Sequence, residues 1–251
     1  MVTSSRQSSA CRRPYSGLAG GRADPDLALV AAQLGRILAL AGRYDEANPV
    51  LEEGLELAEH LELRDVYSQA LSSKAVSLMH SDRLDEAGVL LRRALEVALE
   101  DGLTAAAQRA YNNLAVGLIA QDRWAESVAM DEQRLELAHR VGDRFWELTV
   151  LTGSLVSLIH LGRWEEAEVQ AEMVRDAEEL ESLETWTASL LALTTIDVHR
   201  GDVGKAKATI ESMKSAGNSE DWETKGEFAA AMAEVRRAEG RPAEALAAAE
   251  E

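Results

Sequence analysis

The side chains in this chain best suited to selective recognition are neutral amides rather than acids or nucleophiles. Asn112 and Asn113 stand together in "YNNLAVGLIAQDRW", residues 111–124. A side-chain amide offers both a donor and an acceptor, so it can pair with an extended backbone of any sequence. The same two groups can equally bond within their own scaffold. The residues 40 positions away, Ser72 and Ser73 on one side and Thr152 and Gly153 on the other, do not extend them into a ladder.

Other chemical candidates fall away on spacing. "GDVGKA", residues 201–206, resembles part of a phosphate loop, but such a loop needs Gly, four residues, then Gly-Lys-Ser/Thr. His199 stands where the first glycine should be, and Ala206 replaces the magnesium-binding hydroxyl. Among the five histidines no pair shows metal-ligand spacing with an intervening glutamate. His80, His160 and His199 each precede a repeated turn by two residues, where an imidazole can meet free helix-end carbonyls. No serine, lysine or cysteine lies in a recognisable catalytic frame. The expectation is a chain that is no enzyme and uses no cofactor or metal.

What must position the amides is a repeat. The box "GRWEEA", residues 162–167, has counterparts at Gly42–Ala47, Asp82–Ala87, Asp122–Ser127, Gly201–Ala206 and Gly240–Ala245. The box starts step by 40, 40, 40, 39 and 39. Leu55, Leu95 and Leu135 keep the same register, as do Leu57, Val97 and Leu137, and Ala58, Ala98 and Ala138. A fixed period of this length is the mark of a repeat architecture.

Each copy reads as two helices and a tight turn. Leu151, Leu155 and Leu158 form one helical stripe, and Gly162 can take positive φ to close that helix. Trp164 opens the next, with Glu165 and Glu166 in its first turn, where carboxylates suit the helix dipole. Ala167 is small, which permits close packing. Pro242 falls at a helix start, a tolerated position. Pro49 falls inside the second helix of the first copy, so a late start or kink is expected there. Trp124 and Trp164 share one repeat position, and Trp146 and Trp186 another, which favours packing between neighbouring helices.

This pattern resembles the tetratricopeptide repeat. That family's small first-helix residue corresponds to Gly35, Ala75, Ala115 and Ala233, while Leu155 and Thr194 depart from it. The 40-residue unit is similar to the long variety of kinesin light chains, and of the C-terminal regions of bacterial ATP-dependent transcription regulators and predicted-ATPase cyclases. The resemblance implies an all-α, right-handed α-solenoid of about six helix-turn-helix repeats. These are expected at about residues 27–63, 64–102, 103–142, 143–182, 183–220 and 221–251, the last truncated. Residues 1–24 are expected to be a disordered Ser- and Arg-rich tail.

The resemblance further implies a concave face lined by first helices. In kinesin-light-chain-type repeats inward asparagines bond a bound peptide's backbone, and Asn112 and Asn113 match those positions. Register adds Gln69, Val76, Met79, Arg109, Val116, Ile119, Val156 and Ile159 as candidate partner-binding residues. The apolar members can hold an apolar peptide or partner helix, or can pack between long helices, the reading favoured here. The basic residues with which chaperone-binding repeats clamp a carboxylate are not matched.

Composition agrees. Hydrophobic residues are 46% but aromatics only 4%, so the core is built from Leu, Ala and Val. The formal charge is −18, and residues 1–22 hold four arginines and no acid, so the rest of the chain is more acidic still. Such a surface repels phosphate backbones and anionic lipid, which argues against nucleic acid and membrane as partners. Cys11 alone can form no internal disulfide, and cytoplasm is the expected compartment. The expected role is a non-catalytic scaffold that binds a protein or peptide. The alternative is a sensor fragment of a larger ATP-binding regulator, whose partners would be domains of its own parent. The stop only about ten residues into the last helix favours that context.

Overall fold

The first residue of every box takes the left-handed backbone conformation: Gly42, Asp82, Asp122, Gly162, Gly201 and Gly240 have φ between 56° and 83°. In the computed structural model, which describes residues 24–177 and 183–250, this is what ends each first helix. The residue after each of them donates its N–H five positions back, as Arg43 does to Leu38 O at 2.9 Å and Arg163 to Leu158 O at 2.9 Å. This closure satisfies helix-end carbonyls that would otherwise stay unpaired. The box arginine then folds over the new helix start. Arg43 Nε donates to Glu46 at 2.7 Å, Arg83 to Glu86 at 2.7 Å and Arg163 to Glu166 at 2.8 Å. The recurrence of Arg and Glu three positions apart is therefore a helix-start clasp.

A second set of left-handed residues, Glu62, Gly102 and Gly142, closes the second helices at the same 40-residue step. Twelve α-helices and no strand result among the described residues. They are α1 (Pro25–Leu40), α2 (Tyr44–His60), α3 (Arg64–Met79), α4 (Leu84–Glu100), α5 (Thr104–Ile119) and α6 (Trp124–Val141). Then come α7 (Arg144–His160), α8 (Trp164–Arg175), α9 (Leu183–Arg200), α10 (Val203–Ser212), α11 (Trp222–Ala238) and α12 (Pro242–Glu250). A short 3₁₀ turn, Ala216–Asn218, follows α10. The fold is the expected all-α array of antiparallel helix pairs.

The chain divides into two compact units at Arg123–Trp124, inside the third box. The first holds α1 to α5. Each helix packs on the next from α1 to α5, and the first helices α1, α3 and α5 also pack in succession side by side. Its core includes Leu34, Leu38, Ala39, Ala47 and Leu51, with Ala32, Leu55, Ala70, Leu71, Ala94 and Ala110 as a further cluster. Gly35 lets α1 and α2 meet: a Cβ there would stand 2.5 Å from the Leu51 side chain. The second unit holds α6 to α12, around Leu155, Leu158, Ala167, Leu193, Ile196 and Met213.

Pro49 does not delay α2, which starts at Tyr44 in register with the other boxes. Pro49 and Asp45, whose carbonyl the ring leaves without a donor, are both exposed residues, so the lost bond falls on the solvent side of the helix. Thr194, one of the two larger residues in the small-residue column, is fully buried and donates its hydroxyl to Leu190 O at 2.8 Å. The histidines near box turns meet aromatic rings. Tyr44 stacks on His80 with ring centroids 4.7 Å apart, and Trp164 meets the edge of His199 at 5.7 Å. His199 Nδ1 also lies 2.8 Å from Thr195 O. Residues 1–23 of the expected tail, with Cys11, lie outside the described residues, whereas Asp24 at its end caps α1, its Oδ1 accepting from the Asp26 N–H at 2.9 Å.

Candidate functional site

In the first unit the first helices of three successive repeats enclose a groove of about 170 Å³. Its walls are Arg36, Ala39 and Leu40 from α1, Ser72, Ser73 and Val76 from α3, and Arg109 and Asn113 from α5. Three of the sequence-predicted residues, Val76, Arg109 and Asn113, thus share one site. Gln69 supports it: its Oε1 accepts from Arg109 at 3.2 Å and, at the longer distance of 3.5 Å, from Gln33. Its own amide donates to Asp65 at 2.8 Å. One polar chain therefore runs from α1 through α3 to α5 and orients the Arg109 guanidinium.

The two asparagines part company. Asn112 is half-buried and already engaged within the chain. Asn113 is also half-buried and lines the groove, yet its amide has no hydrogen-bond partner among the described residues. It is the one of the two with a donor and an acceptor left to offer. Ser73 uses its hydroxyl to bond Gln69 O at 2.9 Å. Ser72 Oγ, though buried, has no partner.

The remaining candidates lie elsewhere. Met79 borders a separate cavity of about 60 Å³ with Leu91, Leu114 and Gly117, so it fills space between α3, α4 and α5. Val116 is 46% exposed, and Ile119 is half-buried near the end of α5. Val156 and Ile159 belong to the second unit, where Val156 is 43% exposed and Ile159 packs against the core.

Sequence reasoning missed Arg36. It occupies the repeat column of Val76, Val116 and Val156, so register marks it as an apolar wall position. No signal within its own repeat reveals that it faces Arg109. Burial, and after it the neighbouring Arg36 charge, hold the Arg109 guanidinium below its ordinary value, while Asp65 pulls it partly back. The groove is thus a positive spot on a chain of net charge −18. Among the described residues no cluster of three or more His, Cys, Asp or Glu side chains suits a metal ion, and no helix is long and apolar enough to cross a membrane.

Helix pairs of this length, closed by left-handed turns at a 40-residue step, define a class: tetratricopeptide-like helical repeats. Residues 28–53 and 108–141 each match the tetratricopeptide repeat family, so the chain carries tetratricopeptide repeats. No curated protein sequence matches it. Among solved structures it is similar to BtubC (BKLC) from P. vanneervenii, at 20% identity and a TM-score of 0.67, over 88% of this chain and 91% of that one. It is also similar to a Signal Transduction ATPase with Numerous Domains (STAND) protein with a tetratricopeptide repeat sensor, from Pyrococcus horikoshii. There the identity is 14% and the TM-score 0.68, covering 89% of this chain but only 36% of that one. A third is a putative kinesin light chain with nearly identical TPR-like repeats from Podosopora anserina. Its identity is 17%, its TM-score 0.60, and the match covers 76% of this chain and 96% of that one. These likenesses establish the fold.

Proposed function

We propose that this chain is a non-catalytic interaction scaffold that holds an extended peptide segment in the α1–α3–α5 groove of its first unit. Tetratricopeptide repeats generally mediate protein–protein interaction, and the observation that carries the reading here is Asn113. Its unpartnered amide, in a groove built from three successive first helices, can pair with a backbone N–H and C=O together. Val76, Ala39 and Leu40 beside it supply apolar area for a side chain of the ligand.

The test is selection of random 12-residue peptides on the full chain, followed by binding to Asn113→Ala and Val76→Arg variants. Retention of every selected peptide by both variants would remove the groove from the account. A second reading, as the sensor part of a larger ATP-binding signalling protein, draws on the likeness to the STAND chain and its 36% coverage. The mass of the native protein, probed in source cells with an antibody to residues 64–177, separates the two. A band near 27.3 kDa speaks for the free scaffold and a much larger one for the sensor.

A further inference from the structure

Three departures from the repeat pattern meet at one cavity of the first unit. The cavity, of about 60 Å³ between α3, α4 and α5, is walled by Met79, Leu91, Leu114 and Leu118. Gly88 and Gly117 line it too. One repeat earlier the equivalent pair is Asn48 and Ser77, whose side chains meet in a 2.7 Å hydrogen bond. Later repeats place Val128 with Ser157, and Glu168 with Ile196, in the same two columns. Only the pair on α4 and α5 has no side chain on either helix. The cavity is the space those two side chains leave.

Packing requires neither glycine. A Cβ at Gly117 would lie 3.7 Å from the Met79 methyl carbon, an ordinary contact, and one at Gly88 would meet only the movable end of Arg92, at 3.4 Å. At Gly35, by contrast, the same atom would stand 2.5 Å from Leu51. Glycine inside a helix costs stability relative to alanine, and an unfilled cavity costs more. The fold gains nothing from either, whereas an inserted side chain would recover the missing contacts. Arg92 is the third departure. Its column is otherwise acidic, and Glu52, Glu132, Glu172 and Glu211 there pair with Lys74, Arg163, Arg175 and Lys214. Arg92 is exposed at the cavity rim and holds no carboxylate among the described residues. Asp85 shares the rim, but it is a first-turn acid that Asp45 and Glu165 repeat at equivalent helix starts. Arg123 completes the rim and donates to Gln121 at 3.3 Å.

We infer that this cavity is a second docking site, which takes the branched end of a leucine or valine side chain from a partner protein segment with an acidic residue beside it. The volume sets the size of the anchor. A cavity of about 150 Å³ holds the six carbons of benzene, so one of about 60 Å³ holds two or three carbons and no aromatic ring. Charge sets the neighbour. A carboxylate beside the anchor meets the Arg92 guanidinium, where every other repeat offers a glutamate. The cavity shares no wall residue with the α1–α3–α5 groove and draws on a second helix, α4. It therefore stands apart from the site proposed above.

The test titrates the full chain with acetyl-Glu-Leu-Glu-amide, its Glu-Phe-Glu and Glu-Ala-Glu counterparts, and acetyl-Gln-Leu-Gln-amide. NMR follows the methyl signals of Met79, Leu91 and Leu114. The Glu-Leu-Glu peptide is expected to shift these methyls saturably and to bind about tenfold tighter than the Ala and Phe peptides, since burial of the leucine is the main gain. It should bind about threefold tighter than the Gln-flanked peptide, the scale of an exposed ion pair. The double variant Gly88→Ala with Gly117→Ala puts two carbons into the cavity without a clash. It should raise the melting temperature, as alanine does over glycine in a helix, and abolish the preference for Leu over Ala. Arg92→Glu restores the acid of its column and should remove the preference for Glu over Gln flanks while keeping that for Leu. Binding of the Phe peptide as tightly as the Leu peptide, or an undiminished Leu preference in the double variant, overturns the cavity as the anchor site. Equal binding of the Gln-flanked peptide by the parent overturns the acidic neighbour. Absence of any methyl shift overturns the docking site itself. Asn113→Ala, which alters only the groove, should leave every value unchanged. Loss of binding in that variant assigns the peptide to the groove and overturns the second site, so the two sites fail separately.

Discussion

The indole of Trp124 lies flat on the imidazole of His160, with ring centroids 4.1 Å apart and planes within 5° of parallel. Trp124 opens the second helix of one repeat and His160 closes the first helix of the next, so the stack ties neighbouring repeats. Tyr44–His80 repeats the arrangement in the first unit. Ring pairs of this kind contribute about 0.5–1.5 kcal/mol beyond the area they bury. His160→Ala is expected to cost about 1 kcal/mol in urea unfolding. His139→Ala, which removes an exposed imidazole 3.5 Å from Glu147, should cost less than half of that.

Glu62 supports a different prediction. It holds φ at 55°, a conformation that Gly102 and Gly142 occupy without steric cost at the equivalent turns. Glu62→Gly is expected to stabilise the first unit by about 1 kcal/mol, and Gly162→Ala to destabilise the second by about 1–2 kcal/mol. Thermal unfolding of both variants beside the parent measures each sign.

The third repeat places Asp131 in the column that Leu51, Leu91 and Ala171 fill elsewhere. It is 4% exposed and its Oδ2 has no hydrogen-bond partner. Burial pushes its carboxyl up to about 7, and the Arg134 charge only partly opposes that. A carboxyl that binds its proton more tightly in the folded state stabilises the fold while protonated. Stability should therefore fall as pH rises from about 4 to 7 and level off above, by an amount on the order of a few kcal/mol. Asp131→Asn, which cannot ionise, is expected to flatten this slope and to exceed the parent in stability at pH 8. Equilibrium unfolding at pH 5 and pH 8 measures both effects.

Arg36 and Arg109 give an electrostatic prediction for the free chain. Removing one of two neighbouring like charges, which Asp65 offsets only in part, should stabilise it, so Arg36→Gln is expected to gain about 0.5 kcal/mol at low salt. Screening shortens the reach of the repulsion, so the gain should shrink in 0.5 M NaCl. Thermal unfolding of the variant at both salt concentrations measures this dependence.

The helix pairs were legible because they are written locally: a left-handed residue, Arg and Glu three apart, and a small residue repeat within six positions. Register put Val76 and Arg109 on the first-helix face that lines the groove, and the resemblance of the 111–124 stretch did the same for Asn113. Arg36 and Asp131 were not, since each departs from its own column, and a departure shows its meaning only beside its neighbours in space. Met79 marks a limit of another kind. It shares a helix with Val76 but sits three positions on, and that rotation turns it from the groove into the space beside α4 and α5. Pro49 misleads because its cost depends on exposure, which the sequence does not display.

The most direct test of the central claim is amide hydrogen–deuterium exchange of the full chain with and without a saturating selected peptide. Slowed exchange in α1, α3 and α5, around Arg36, Ser72, Val76 and Asn113, is the predicted result. Protection confined to the second helices, or to α7 and α9 alone, would contradict the groove as the binding site.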